Sequence, residues 1–206
     1  MKKIFYNLCL VLFGYFFGSV LFARLFGSII AHKDITKNTN DRNPGAFNAF
    51  KNGGKLCGSL TLLLDMFKGF LPVFVYLNYS SLKNSFWTAL IVVAPVLGHI
   101  FPAFNGFKGG KGIAVSFGVL LGFFPDLKPV LSLAAVFLVL TFVININPEY
   151  YKTMVTYPVT AIFLFFLTNN LGLVLGFAAI AFLIVFRLVL SREEKGSLEV
   201  KPIWKR

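Results

Sequence analysis

Uncharged apolar runs follow one another along nearly the whole chain, with polar residues gathered between them. Residues 4–22 carry no charge, residues 56–79 are apolar apart from Asp65 and Lys68, and residues 86–104 hold His99 as their one ionisable side chain. A shorter run covers residues 112–125, residues 130–147 are again uncharged, and residues 154–167 and 171–186 complete the set. A helix needs about 20 residues to cross the hydrocarbon layer, and the first, second, third and fifth runs meet that. The fourth and sixth are short and read as tilted, distorted or incomplete spans. A barrel strand needs only about 9–11 alternating residues; these runs are longer and apolar on all sides. Pro125, Pro129, Asn147-Pro148 and Asn169-Asn170 punctuate the gaps, as turn residues should. The pattern predicts an all-α integral membrane protein of about seven transmembrane helices, six being the alternative count, in a single domain over residues 1–206.

Composition agrees: 57% of the 206 residues are hydrophobic and 14% are charged, against about a quarter charged in ordinary soluble domains. The net charge of +12 would suggest nucleic acid in a soluble protein, but beside a membrane it marks the cytoplasmic face. With seven spans and the C-terminus inside, 14 of the 20 Lys+Arg fall in inner segments (33, 37, 42, 51, 55, 108, 111, 152, 187, 192, 195, 201, 205 and 206). Lys2, Lys3, Lys83 and Lys128 lie outside, with Lys2 and Lys3 opposing the bias. Arg24 and Lys68 lie within spans, Arg24 snorkelling to the inner surface. Lys2 and Lys3 ahead of an apolar stretch imitate a secretory signal, yet no small-x-small site precedes the polar loop, so a retained first helix is expected. Cys9 and Cys57 read as inert core residues, without disulfide or metal spacing. Residues 191–206 read as a short, charged, solvated tail.

Two inner loops carry the candidate chemistry. In the second, Lys108, Gly109, Gly110, Lys111 and Gly112 set two ammonium groups among three residues without side chains. Such a loop, opening onto a helix N-terminus, can cradle a phosphate with its backbone N–H groups, although the Walker A spacing is absent. A flexible basic loop touching lipid headgroups fits the same residues. His99 reads either as a hydrogen-bonded structural residue or as a general base with a near-neutral pKa; His32 has no comparable companion. In the first loop, Asn43, Gly45 and Asn48 offer amide donors, acceptors and a tight turn, and Arg42 can grip a phosphate bidentately. Loop punctuation is the plain alternative. Asp65 and Lys68, three apart, share a helix face. There they serve as an intrahelical pair or face a substrate, since intramembrane charges turn to protein or water.

These motifs occur together: Gly18-Ser19, the Asn-x-Gly-Ala-x-Asn core over 43–48, Leu64-Asp65-x-x-Lys68-Gly69-x-x-Pro72-Val73, Gly98-His99-x-Phe101-Pro102, and Phe-Lys-Gly-Gly-Lys-Gly over 107–112. In this order and spacing the chain, over about residues 14–120, resembles the bacterial integral-membrane glycerol-3-phosphate acyltransferases that use acyl phosphate as donor. The resemblance implies a seven-helix enzyme of the bacterial inner membrane, with cytoplasmic active-site loops. Such an enzyme transfers a fatty acyl group to the 1-hydroxyl of glycerol 3-phosphate and gives lysophosphatidic acid, without cofactor, metal or nucleic acid. By match it assigns the site to Asn43, Gly45, Asn48, His99, Lys108, Gly109, Gly110, Lys111 and Gly112. The usual first loop of the family reads Arg-x-x-Gly-Ser-Gly-Asn-x-Gly-Ala-Thr-Asn. Here Asp41 and Arg42 stand for Ser-Gly, Phe47 for Thr, and Lys37 where the Arg is expected. Arg42 is a candidate to compensate for it. Of the usual C-terminal His-Arg-x-Asn, only Arg187 remains, with Phe186 and Val189 at the flanking positions.

Acyl phosphate is already activated, so the protein needs to hold two anions close, screen their repulsion and align hydroxyl with carbonyl. Lys108 and Lys111 suit that task and the charge growing on the leaving phosphate, while His99 or a substrate phosphate would accept the hydroxyl proton. The acyl chain would lie between helices among the 26 Phe residues. Two rivals use the same residues: a transporter of an anionic solute or lipid, against which no inverted repeat is visible, and a non-catalytic lipid-binding relative, which the altered C-terminal motif favours.

Overall fold

In hydrocarbon every backbone polar group must be satisfied inside the segment, and the α-helix does that residue by residue. Each apolar run accordingly forms a helix. The computed structural model describes residues 1–37, 39–191 and 195–203. It contains α1 (Lys2–Gly18), α2 (Phe22–Ile29), α3 (Ala46–Tyr79), α4 (Ser85–Ile100), α5 (Ile113–Leu121), α6 (Lys128–Leu138), α7 (Glu149–Leu167) and α8 (Leu171–Val189). The expected first span ends early: α1 stops at Gly18, and the chain bends by 42° into the separate α2. By length and composition α3, α8 and the stretch Ser85–Asn105, which is α4 with the turn that follows it, can each cross a membrane, and α1 with α2 makes a fourth candidate. α6 runs on into a π turn, Val139–Val143. α5 has nine residues and is about 14 Å long, less than half of the roughly 30 Å hydrocarbon layer.

α3 is two helices joined at Gly54, whose φ of +87° is left-handed. Its first turns, over 46–53, precede the kink, pack through Ala49 on Ala23 and Ile35, and carry Asn48 and Asn52. The apolar part beyond the kink matches the predicted 56–79 run. α7 starts at Glu149, ahead of the expected 154, because Lys152 is not a loop residue. It is buried in the helix with Nζ 2.6 Å from Glu149 one turn before. The tail is not simply solvated either. β2 (Glu199–Val200) pairs antiparallel with β1 (Ile146–Asn147), and the Lys195 ammonium sits 5.3 Å from the Tyr150 ring centroid. Arg192, Lys205 and Arg206 of the basic C-terminal segment lie outside the described residues. Both cysteines are free; Cys57 is buried, but Cys9 is exposed on α1 rather than in the core.

α4 is the centre of the bundle. Val92, Val96 and Ile100 pack with Val73 and Tyr76 of α3, Val115 and Val119 of α5 and Phe177 and Ile180 of α8, all buried. Two crossings are closed by reciprocal glycines. A Cβ on Gly18 would collide with the Pro95 carbonyl, and one on Gly98 with the Tyr15 carbonyl, so α1 and α4 touch backbone to backbone. The α3–α5 crossing repeats the device: Gly69 lies against the Val115 carbonyl and Gly118 against that of Met66. Where lipid gives no hydrophobic drive between helices, small residues permit this close packing and its Cα–H···O contacts. On the α4–α8 face Gly172 packs on Thr88 and Gly176 on Val92.

The packing sorts the loops. At one end Asn7 of α1 donates to the Leu82 carbonyl (2.8 Å) and accepts from Ser80 Oγ (2.7 Å). At the opposite end the 30–45 and 101–112 loops meet the last turn of α8.

Candidate active site

The first loop is built, not slack. Ile35 is fully buried against Ala23, Ala49 and Cys57, and Asn52 Nδ2 donates to the Ile35 carbonyl at 2.8 Å. Asp34 Oδ1 accepts from the Thr36 hydroxyl (2.7 Å) and N–H (3.0 Å), and these bonds hold its carboxyl below the ordinary value. Further on, Arg42 has φ +48°. That is the position of the family pattern's second glycine, and a side chain there costs about 1–2 kcal/mol. Asp41 beside it is the hub of the loop. Its Oδ1 accepts from the Asn43 N–H (3.1 Å) and from Asn48 Nδ2 (2.9 Å), and its Oδ2 lies 2.9 Å from Lys111 Nζ. Burial raises its pKa, but Lys111 and the bonds from Asn48 and Asn43 outweigh that and leave it below the ordinary value.

The second loop is clamped to the end of α4. Gly109 N–H donates to the Ile100 carbonyl (3.1 Å) and Gly110 N–H to the His99 carbonyl (3.0 Å), while Lys108 N–H bonds Asn105 (3.1 Å). These three amides are therefore committed, so the phosphate-cradling reading of the glycines does not hold for Gly109 and Gly110. Both are glycine for contact: a Cβ on Gly109 would strike the His99 carbonyl, and one on Gly110 the His99 ring at Nε2. Behind the loop sits a buried charged group. Lys68 Nζ lies 2.6 Å from Asp65 Oδ1, donates to the Val20 carbonyl at 2.7 Å and meets His99 Nδ1 at 2.9 Å. The three donors of a Lys68 ammonium match the three acceptors around it, Asp65 Oδ1, the Val20 carbonyl and His99 Nδ1. His99 Nδ1 therefore accepts, and the ring proton is on Nε2, against Gly110.

Between the loops opens a cavity of about 1110 Å³. Its walls bring together five cations, Arg24, Lys37, Arg42, Lys108 and Arg187, with the two carboxylates Asp34 and Asp41. Of the residues expected from sequence, Arg42, Lys108 and Gly109 line it. Lys111 reaches its edge through Asp41. Asn48 is buried and spends its amide on Asp41 and on the Asn43 carbonyl (2.8 Å), so it shapes the loop from behind, as His99 and Gly110 do. Asn43 donates its N–H to Asp41, Gly45 caps α3, and Gly112 caps α5 with φ +83°. Sequence reasoning gave no site role to Arg24 or Arg187. Arg24 Nη1 donates to Asn105 Oδ1 (3.2 Å). Arg187 Nη2 donates to the Gly109 carbonyl (3.1 Å), bracing the loop while facing the cavity. An Arg187→Ala enzyme should lose about tenfold in kcat/KM, the worth of one charge-assisted bond, with Arg187→Lys recovering only part; steady-state kinetics of the three proteins check this.

A helical membrane bundle with five cations around one terminal cavity defines a class: a membrane protein that handles anionic, phosphate-bearing molecules at the bilayer surface. Comparison with known proteins narrows it. The family model described as glycerol-3-phosphate acyltransferase matches residues 8–194, and the chain belongs to that family. A glycerol-3-phosphate acyltransferase of Hydrogenobaculum sp. (strain Y04AAS1) is 38% identical over 90% of this chain and 95% of its own length. One from Aster yellows witches'-broom phytoplasma (strain AYWB) is 38% identical, with a match covering 61% of this chain and 59% of that protein. The crystal structure of PlsY (YgiH), an integral membrane glycerol 3-phosphate acyltransferase in its glycerol 3-phosphate form, superposes with a TM-score of 0.75. Its identity is 28%, over 93% of this chain and 96% of that one. The lysophosphatidic acid form of PlsY gives a TM-score of 0.72 at 28% identity, over 93% and 95% of the two chains. The chain is thus a multi-pass integral membrane acyltransferase.

Proposed function

We propose that this glycerol-3-phosphate acyltransferase takes its acyl group from acyl phosphate and places it on the 1-hydroxyl of glycerol 3-phosphate. Lysophosphatidic acid and inorganic phosphate are the products, and the reaction runs at the cytoplasmic face of a bacterial inner membrane. The observation that carries the reading is the cavity with five cations against two carboxylates. Two phosphate-bearing substrates brought within bonding distance repel one another, and an excess of fixed positive charge offsets that repulsion. Donor and acceptor then need alignment more than covalent help, because phosphate is a good leaving group. Arg42, Lys108 and Arg187 are the groups we assign to phosphate oxygens, with Lys111 joining them from the loop edge.

His99 acts as a positioning residue rather than a base at the reacting hydroxyl: its Nδ1 is taken by Lys68 and its Nε2 is covered by Gly110. The proton of the 1-hydroxyl then goes to a substrate phosphate oxygen. Asn43, Gly45, Asn48 and Gly112 hold the loops in register. Exposed Phe47, Phe104 and Phe107 at the same end suit the membrane–water boundary, where an acyl chain can enter from the lipid. The seven-span arrangement with the C-terminus inside is supported by the basic residues gathered around the loops at this end.

Purified protein in detergent should form lysophosphatidic acid from palmitoyl phosphate and radiolabelled glycerol 3-phosphate, and Lys108→Ala should lower the rate at least about 100-fold. Product from palmitoyl-coenzyme A but not from palmitoyl phosphate would overturn the donor assignment.

A further inference from the structure

The Asp41 carboxylate rests in an unusual set of donors. It receives an ammonium from Lys111 (2.9 Å), a main-chain N–H from Asn43 (3.1 Å) and a carboxamide from Asn48 (2.9 Å). An ammonium, a backbone amide and a side-chain amide converging on one pair of oxygens are what an anion-binding site presents. Here the anion is supplied by the chain itself. The pair joins two loops 70 residues apart in sequence, and both side chains keep 17% of their surface open, with Asp41 on the wall of a cavity already rich in cations. A solute can therefore reach it. Asp34, the other carboxylate of the cavity, differs: among the described residues it accepts from Thr36 groups within its own turn, and no lysine pairs with it across the site.

We propose that Asp41 is a displaceable internal occupant of a phosphomonoester position, and that an incoming phosphate takes over Lys111 by expelling the carboxylate. The side chain then sets substrate affinity: a dianion with three acceptor oxygens outcompetes a monoanion, but only after the Asp41–Lys111 pair is broken. The kinetic part of this inference rests on the acyltransferase reading; the binding part does not.

The test uses full-length protein in detergent as wild type, Asp41→Asn, Asp41→Ser, Asp41→Glu and Asp34→Asn. Calorimetric titration with glycerol 3-phosphate and with inorganic phosphate reads affinity without turnover, and the acyl transfer assay reads KM and kcat. The neutral Asp41 variants should bind both ligands about five- to tenfold more tightly and lower KM for glycerol 3-phosphate by a similar factor, while Asp41→Glu stays close to wild type. Asp34→Asn should give clearly less gain. An equal gain from Asp34→Asn would mean that net cavity charge alone is at work, and the proposal fails. Unchanged or weaker binding in the neutral variants, or their failure to fold, would make Asp41 a structural staple and equally overturn it. If wild type forms no lysophosphatidic acid, the acyltransferase reading falls, while the titrations still decide the role of Asp41.

Discussion

A Gly109→Ala enzyme should lose about two orders of magnitude of acyl transfer while keeping its membrane fold. The added methyl has nowhere to go: it meets the His99 carbonyl, with the Ile100 carbonyl at 2.7 Å and Pro102 Cδ at 2.7 Å. Two of these are backbone atoms at the end of α4 and cannot rotate aside. The loop must lift, breaking the Gly109–Ile100 bond (3.1 Å) and the Arg187 brace (3.1 Å) and carrying Lys108 with it. Misplacing a binding group by about 1 Å can cost 100-fold in rate, and overpacking costs roughly 1–3 kcal/mol of stability. Gly106→Ala is the control. Gly106, unlike Gly109, is left-handed, at φ +56°, but nothing lies within 4 Å of its Cβ position, so the change meets backbone strain alone and activity should fall far less. Rates and melting temperatures of the two variants, measured side by side, check the argument.

The second large effect concerns the charged group inside the bundle. Lys68 is completely buried and Asp65 is 1% exposed. Removing one partner leaves the other uncompensated, at about 3–5 kcal/mol, so Lys68→Met and Asp65→Leu should each fail to give stable protein or melt far lower. The double variant Asp65→Leu/Lys68→Met should recover much of that stability, because neutral apolar replacements of a buried pair are often tolerated. It should not recover the rate. Without the ammonium, His99 Nδ1 loses its donor, the ring is free to turn, and the surface supporting Gly110 is no longer fixed. Rescued melting temperature with unrescued kcat is the expected signature; full activity in the double variant would show that the group serves the fold alone.

How much of this was legible from sequence depended on whether the signal was local. The Asp65–Lys68 pair followed from three-residue spacing, and the helical class from uncharged runs with no alternation. The glycine-rich loop is legible in the sequence, with a phosphate cradle and a flexible headgroup-binding loop as its two readings. A sequence shows that Gly109 and Gly110 expose their amides; it does not show that the end of α4 has already claimed them. The resemblance places Asn48 at the site, and only the structure shows that its amide turns to Asp41. The Arg187 brace and the Asp41–Lys111 pair join residues 78 and 70 positions apart, and no periodicity reaches that far. α5 shows the limit from the other side: its nine residues were visible as a weak run, yet its place on α3 is set by Gly69 and Gly118, which from sequence are only two more glycines.

Those reciprocal glycine crossings govern which motions remain open during turnover. On α1 and α4, and again on α3 and α5, each helix rests a glycine on the other's main chain at two points one turn apart. Sliding along such a seam drives a side chain into backbone, and rolling opens a gap that lipid or water must fill. These two seams stiffen the frame that carries both loops against sliding and rolling of α1 on α4 and of α3 on α5. A bundle stiffened in this way leaves the two loops as the parts that can move when substrates enter and product departs.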